Sequence, residues 1–392
     1  MLVGRLGRLR RGFGLLSGTA GLSEDQVALQ KSALDFAKVE LAPFAGEWDK
    51  KKYFPKETLR KAAGLGFAGV YSEETYGGSG LGRIEGSLIF EALATGCPST
   101  SAYLSIHNMC NWMISAFAQE TQKQAWLPKV NSMEYFTSYC LTEPAHGSNA
   151  YGLETKAVPT GNYYEVTGSK AFISGGSESD LYVVMCRVPD KGVTCLVIPK
   201  DSPGLSFGKN EEKMGWNCQP TAAVHMDKVK VPKEYRLGAE GEGFKIAMKG
   251  LDGGRINIAS CSLGGAWYAL EKAVKYLSER KQFGKLLKEF QHLQFEMADS
   301  ATKLQVARLM VRQAAKLLDE QSPLATVQIA MAKRFATDAG SEIVDACLQM
   351  HGGYGYLSEY QLERVLRDLR VHRILEGTNE VMRLIIAKKL WE

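Results

Sequence analysis

Hydrophobic period changes twice along this sequence, and few architectures accommodate both changes. From Ser23 to about Glu134 the apolar residues Val27, Leu29, Leu34, Phe36 and Val39 recur near the helical period. Pro55 opens a further helix that the Gly64-Leu65-Gly66 run stops. Between Phe136 and about Leu237 the pattern becomes short β-branched or aromatic runs, Tyr163–Val166, Leu181–Arg187, Val193–Pro199 and Ala222–Val231, separated by Gly, Pro, Asn and Asp. After Gly243 helical periodicity returns in four stretches, about Phe244–Lys281, Glu289–Glu320, Pro323–His351 and Ser358–Arg370. In the second of these Leu293, Met297, Leu304 and Val311 share one face, as in a bundle. The spacing predicts a mixed fold: an all-α N-terminal domain (23–135), a small antiparallel β middle domain (136–240) and a C-terminal four-helix bundle (241–392).

Composition narrows the function. Apolar residues make up 45% and charged residues 23% of the 392, as in ordinary globular proteins. No apolar run reaches the roughly 18 residues a membrane helix needs. The formal net charge is +5, and Arg5, Arg8, Arg10 and Arg11 supply four of those charges, so the rest is near neutral and carries no nucleic-acid footprint. Those arginines lie in a leading segment whose first carboxylate is Glu24, which reads as a mitochondrial transit peptide over residues 1–22 and implies a matrix protein. The other reading is a basic tail with no address. Eight scattered cysteines form no CxxC pair and read as buried thiols, and six histidines form no metal-ligand pattern.

Near the C-terminus, Arg373-Ile374-Leu375-Glu376-Gly377-Thr378-Asn379-Glu380-Val381-Met382-Arg383 places a carboxylate in a Glu-Gly-Thr-Asn turn that opens a helix. Thr and Asn suit an N-cap, and Gly377 allows close backbone approach. Val381, Met382, Leu384, Ile385 and Ile386 are expected to anchor that helix, leaving Glu376 facing a cleft. A carboxylate desolvated there gains basicity and suits the abstraction of a carbon-bound proton. From these residues alone, a solvated Glu favouring the helix dipole is an equal reading.

The segment resembles the catalytic-base loop of the acyl-CoA dehydrogenases, flavoenzymes that oxidise acyl-CoA thioesters to 2-enoyl-CoA. Further motifs follow the family order: Tyr139-Cys140-Leu141-Thr142-Glu143-Pro144-Ala145-His146-Gly147-Ser148, Gly168-Ser169-Lys170-Ala171-Phe172-Ile173-Ser174-Gly175, Arg280-Lys281-Gln282-Phe283-Gly284 and Gln349-Met350-His351-Gly352-Gly353-Tyr354-Gly355-Tyr356. Together they cover the chain from about Leu22 to its end.

This resemblance implies FAD as cofactor, an acyl-CoA substrate, electron-transferring flavoprotein as redox partner and a homotetramer. It makes Glu376 the base. It places Tyr139, Cys140, Leu141, Thr142, Phe172, Ile173 and Ser174 beside the flavin ring, and Arg280, Phe290 and Gln291 near the pyrophosphate and adenosine. Gln349, Met350, His351, Gly352 and Gly353 would reach the cofactor across a subunit boundary, with Thr378, Asn379 and Glu380 adjoining it. Ser148, Asp252, Gly253, Gly254, Arg255 and Lys388 would contact acyl-CoA. Without the resemblance, Thr142 and Ser174 are ordinary strand hydroxyls and Arg255 a surface cation. No Gly-x-Gly-x-x-Gly opens a βαβ unit, so a Rossmann crevice is not expected.

Some relatives carry the base just before the Arg of the Asp252-Gly253-Gly254-Arg255 segment. Gly254 stands there, which leaves Glu376. Asn149 replaces the usual Asp, Ala145 and His146 replace the usual Gly and a small residue, and Phe172 replaces the frequent Trp. His146 either crowds the flavin region or sits in a tolerant loop. A flavin oxidase and a non-catalytic assembly protein on the same fold remain the competing functions.

Overall fold

The computed structural model describes residues 16–392, so the four leading arginines, and most of the expected transit peptide, lie outside the described residues. The fold has the expected composition, with a helical N-terminal part, a middle β part and a C-terminal helical part. Helices α1 (Glu24–Phe36), α2 (Ala45–Lys51), α3 (Lys56–Ala63), α4 (Arg83–Ala94), α5 (Pro98–Phe117) and α6 (Glu120–Asn131) come first. The start of α1 is fixed by a capping box, with Gln26 N–H donating to Ser23 Oγ at 3.2 Å and Ser23 N–H donating to Gln26 Oε1 at 3.1 Å. Pro55 caps α3 and Gly64 ends it, as the sequence predicts.

Strands β1 (Thr137–Cys140), β2 (Lys156–Thr160), β3 (Tyr163–Ser174), β4 (Leu181–Val188), β5 (Gly192–Pro199), β6 (Leu205–Phe207), β7 (Thr221–Pro232) and β8 (Arg236–Leu237) form one sheet. Its order is β6-β7-β3-β2-β4-β5-β8, with β1 also on β4. The sheet is mixed rather than wholly antiparallel, because β1 and β2 both pair with β4 in parallel. β4 has neighbours at its edges and layers on both faces, which explains its unbroken apolar run. Leu181, Val183 and Met185 join Val193, Cys195 and Val197 in a core shared with helical Met109, Met113, Trp126 and Leu127. Tyr182, Val184 and Cys186 face the other way, with Tyr164, Val166, Leu196, Val224 and Val231. The chain then forms α7 (Gly243–Glu279), the short ribbon β9 (Lys281–Gln282) and β10 (Lys285–Leu286), α8 (Gln291–Asp319), α9 (Ala325–Met350), α10 (Leu362–Arg370) and α11 (Asn379–Leu390).

Two compact units emerge. One comprises Lys50–Gly86 and Ala102–Gly254 and contains the sheet; the other comprises 16–49, Ser87–Ser101 and Arg255–Glu392 and is helical. In the helical unit the backbones of α7 and α9 approach closely. A Cβ added at Gly340 would lie 3.0 Å from the Ser262 carbonyl oxygen, which shows how tight that crossing is. A buried ion pair, Arg308 Nε to Glu91 Oε1 at 2.7 Å, ties α8 to α4 in the same unit. The segment before α1 also belongs there. Leu16 is buried, Gln30 Nε2 donates to Ser17 O at 3.3 Å, and Arg312 Nη1 donates to Gly18 O at 2.7 Å.

The apolar residues of α11 do not all pack as expected. Met382 is buried, but Leu384 is 69% exposed within the chain. A helix that is apolar on several faces cannot bury all of them against one neighbour, here α9.

Candidate active site

The Glu376 turn joins three elements of the helical unit. Thr378 caps α11, its Oγ1 accepting from Val381 N–H at 3.2 Å, which gives the turn a fixed exit. Upstream, Glu376 takes φ +55° and Gly377 φ +90°. A left-handed glutamate is unusual and stores strain, which marks a side chain aimed for a purpose. At φ +90° a side chain on Gly377 would strain the backbone, and an added Cβ would displace the Met382 methyl, 2.8 Å away.

Two buried cations hold the turn by its backbone. Arg255 of α7 donates from Nε to the Glu376 carbonyl at 2.9 Å, and Lys333 of α9 donates from Nζ to the Gly377 carbonyl at 2.9 Å. Arg255 is therefore not a surface cation; it is 4% exposed. Lys333 also donates to Asn379 Oδ1 at 3.0 Å, and Asn379 Nδ2 donates to Asp338 Oδ1 at 3.0 Å. One oxygen of the carboxylate is spared: Glu376 Oε2 is buried without a hydrogen-bond partner. Burial pushes the Glu376 carboxyl up to about 7, against the pull of the Arg255 and Lys333 cations. Burial holds the Lys333 ammonium down at about 8.

A second feature of the same unit is an open cleft of about 660 Å³. Arg280, Gln349, Met350, His351, Gly352 and Gly353, six of the residues that the resemblance assigns to the cofactor, line it. Gly352 and Gly353 face open space, leaving their backbone approachable. Tyr276, stacked on His351 with centroids 4.3 Å apart, supplies an aromatic wall. Phe290 and Gln291 do not line this cleft. Lys388 lies nine residues along α11 from Asn379, roughly 13 Å at helical rise, and is exposed, so the structure does not bring it to the turn.

In the sheet-containing unit, the two motifs that the resemblance assigns to the flavin lie side by side. Ala171 N–H donates to Thr142 O at 2.9 Å, and Ser138 Oγ donates to Ser174 O at 2.6 Å. A buried pair locks them: Lys170 Nζ donates to Leu141 O at 3.1 Å and to Glu143 Oε1 at 2.8 Å. Glu143 also accepts from the N–H groups of Glu154 and Thr155, at 2.6 and 2.9 Å. Burial alone would raise the Glu143 carboxyl, but those donors and Lys170 hold it at about 2. Cys140 and Ile173 turn their side chains into the core, leaving only backbone for a ligand. Phe172 does the opposite, 70% exposed at φ +58° where β3 slips register. His146 leans on Glu154, Nε2 to Oε1 at 3.4 Å, beside an exposed Ser148. Asp252 and Gly253 sit on α7, where a Cβ on Gly253 would meet the Arg83 guanidinium.

Three family models match in succession: the acyl-CoA dehydrogenase N-terminal domain at residues 23–134, the middle domain at 138–229 and the C-terminal domain at 241–391. The chain belongs to the acyl-CoA dehydrogenase family. It is an oxidoreductase acting on CH–CH bonds and a flavoprotein. It is 54% identical over 385 residues to the mitochondrial isobutyryl-CoA dehydrogenase of Bos taurus, covering 97% of this chain and 92% of that protein. Among solved structures it is similar to butyryl-CoA dehydrogenase from Megasphaera elsdenii, with a TM-score of 0.91 and 37% identity over 95% of this chain and 99% of that one. A chain in the structure of the electron transferring flavoprotein of Acidaminococcus fermentans gives a TM-score of 0.92 and 41% identity over 95% and 99%. The residues present fit FAD. A cleft bearing a guanidinium and open glycine backbone suits a pyrophosphate, and the strained, exposed Phe172 ring beside Thr142 offers a face to a flat heterocycle.

Sequence reasoning missed Lys333 and the aromatic wall. Lys333 sits among Ile329, Ala330, Ala336, Thr337 and Gly340 on the buried stripe of α9, and a lysine within such a stripe is the signal that marks it.

Proposed function

We propose that this dehydrogenase oxidises a short branched acyl-CoA, isobutyryl-CoA to methacrylyl-CoA, in the mitochondrial matrix as a step of valine breakdown. The observation that carries the chemistry is the geometry of Glu376, a half-buried residue on strained backbone whose Oε2 is buried without a hydrogen-bond partner. With a pKa near neutrality it is ionised enough at pH 7–8 to accept the thioester α-proton and basic enough to do so effectively. Its backbone stays fixed during proton transfer because Arg255 and Lys333 grip consecutive carbonyls. FAD, when bound, supplies the acceptor for the β-hydride. Arg280, Gln349 and the Gly352-Gly353 backbone would hold the cofactor's phosphates, Thr142 and Ser174 its ring edge, and Phe172 its face. Ser148 and the Asp252–Arg255 segment would seat the CoA arm.

Identity to a mitochondrial isobutyryl-CoA enzyme supports the branched C4 substrate and the compartment. The resemblance supports electron-transferring flavoprotein as acceptor and a homotetramer, and exposed Phe295, Leu309, Leu384 and Trp391 on the helical unit suit further burial in such an assembly. The similarity to butyryl-CoA dehydrogenase supplies the second reading, a straight short-chain substrate. Competition decides between them. The purified, flavin-loaded chain offered isobutyryl-, butyryl- and 2-methylbutyryl-CoA should show the highest kcat/KM with isobutyryl-CoA, by roughly 10-fold or more for a difference of one methyl or methylene. A preference for either competitor overturns the substrate and keeps the reaction.

A further inference from the structure

We propose that Lys333 is a positioning residue for this reaction: its ammonium pins the turn that carries Glu376 while leaving the carboxylate unpaired. The proposal rests on Glu376 being the base. Lys333 is wholly buried, and both acceptors it reaches, the Gly377 carbonyl and Asn379 Oδ1, are neutral. Among the described residues no carboxylate lies within ion-pair distance of its Nζ. A lysine kept only for stability would be expected to pair with an acid at that depth. Here the charge instead acts through space on the Glu376 carboxylate.

The surroundings show why the arrangement stays this way. Asp338, one helical turn along α9, is engaged by Arg334, Arg373 and Arg383 and by Asn379 Nδ2, so it is drawn away from Lys333. Glu380 on α11 is exposed and meets Arg383 at 3.3 Å. His372, in the 3₁₀ turn before Glu376, is buried, and its Nδ1 lies 2.7 Å from Ser262 Oγ of α7. Burial depresses its pKa to about 3, so it is neutral and adds no competing charge. Cys261 of α7 is buried and held as a thiol. Arg255 completes the set, already committed to the Glu376 carbonyl. Arg255 and Lys333 are the two cations that act on the Glu376 carboxylate, and Lys333 is the one that also fixes the N-terminus of α11.

The test replaces Lys333 with Gln and with Met in the flavin-loaded chain, with Lys333→Arg as the charge-conserving control. Removing the cation raises the Glu376 pKa further. The acidic limb of the kcat/KM profile should then move up by about one pH unit, a roughly tenfold loss at pH values below that limb. kcat should fall more than KM, and Lys333→Arg should restore the midpoint. An independent readout is the infrared band of the protonated Glu376 carboxyl, identified by its absence in Glu376→Gln. Its titration should shift upward by the same amount in Lys333→Gln. Folded Lys333→Gln and Lys333→Met proteins whose profile and carboxyl titration match the parent, with only a lower melting temperature, overturn the proposal. If Glu376→Gln itself still turns over, the assignment of the base fails. If Glu376→Gln is inert and the Lys333 variants titrate normally, only the role of Lys333 fails.

Discussion

Arg255 donates to the carbonyl oxygen of Glu376, 121 residues away in sequence, at 2.9 Å. The choice of acceptor matters chemically. A guanidinium paired with the carboxylate would lower its pKa by 1–3 units and weaken it as a base. Bound to the carbonyl, the same cation fixes the backbone and leaves Oε2 unpaired.

Glu376 should therefore cost stability as pH rises. Its carboxyl is raised from the ordinary 4.5 to about 7 in the folded protein, so the folded state binds the proton more tightly than the unfolded one. Its contribution is intact below about pH 4.5 and is lost as pH rises through 7. Glu376→Gln cannot titrate and escapes that loss. Melting curves should show the variant more stable than the parent at pH 8, with the gap closing at pH 5. A constant gap would mean the carboxyl is not perturbed.

Gly377→Ala tests the turn by a different route. The methyl group meets Met382 at 2.8 Å on a backbone with φ +90°. A stability loss of about 1–3 kcal/mol is expected from strain and displacement of the α11 anchor. Flavin reduction by substrate should slow beyond what the lost stability explains, as followed by stopped-flow absorbance.

Lys170→Met should be more damaging than its distance in sequence from Glu376 suggests. It leaves Glu143 buried with two backbone donors but no cation. A cost of about 3 kcal/mol is expected for an ion pair broken from one side. Glu143 contributes stability above its ordinary pKa, lost as pH falls through about 2, so the variant should also unfold at higher pH on acid titration.

The residues just before α1 give a fourth test. Leu16 is 4% exposed, and the Ser17 and Gly18 carbonyls accept from Gln30 and Arg312. A chain starting at Leu22 should be less stable than one starting at Leu16, by about 1.5–3 kcal/mol for the leucine alone. Equal denaturation midpoints would mean the segment contributes nothing.

Much of this was legible in the sequence where one local rule decided the outcome. Pro55 and Gly64 bracket α3 because each acts on its own backbone. The run Leu181–Val188 reads as a strand because both its faces are covered, and that same double burial hides which neighbours are parallel. The Glu376-Gly377-Thr378-Asn379 turn was visible from its capping chemistry alone. Lys333 was not, since its partners are 44 and 46 residues away and no local pattern announces them. The exposure of Leu384 was equally hidden, because periodicity states which residues share a face and not whether a neighbour covers it.

The central claim is that Glu376 is the base, and anaerobic mixing of the flavin-loaded chain with isobutyryl-CoA addresses it most directly. The parent should lose its oxidised flavin band. Glu376→Gln, with flavin still bound and its melting curve cooperative, should lose it at least about 10²–10⁴-fold more slowly. Bleaching of Glu376→Gln at the parent's rate would contradict the account.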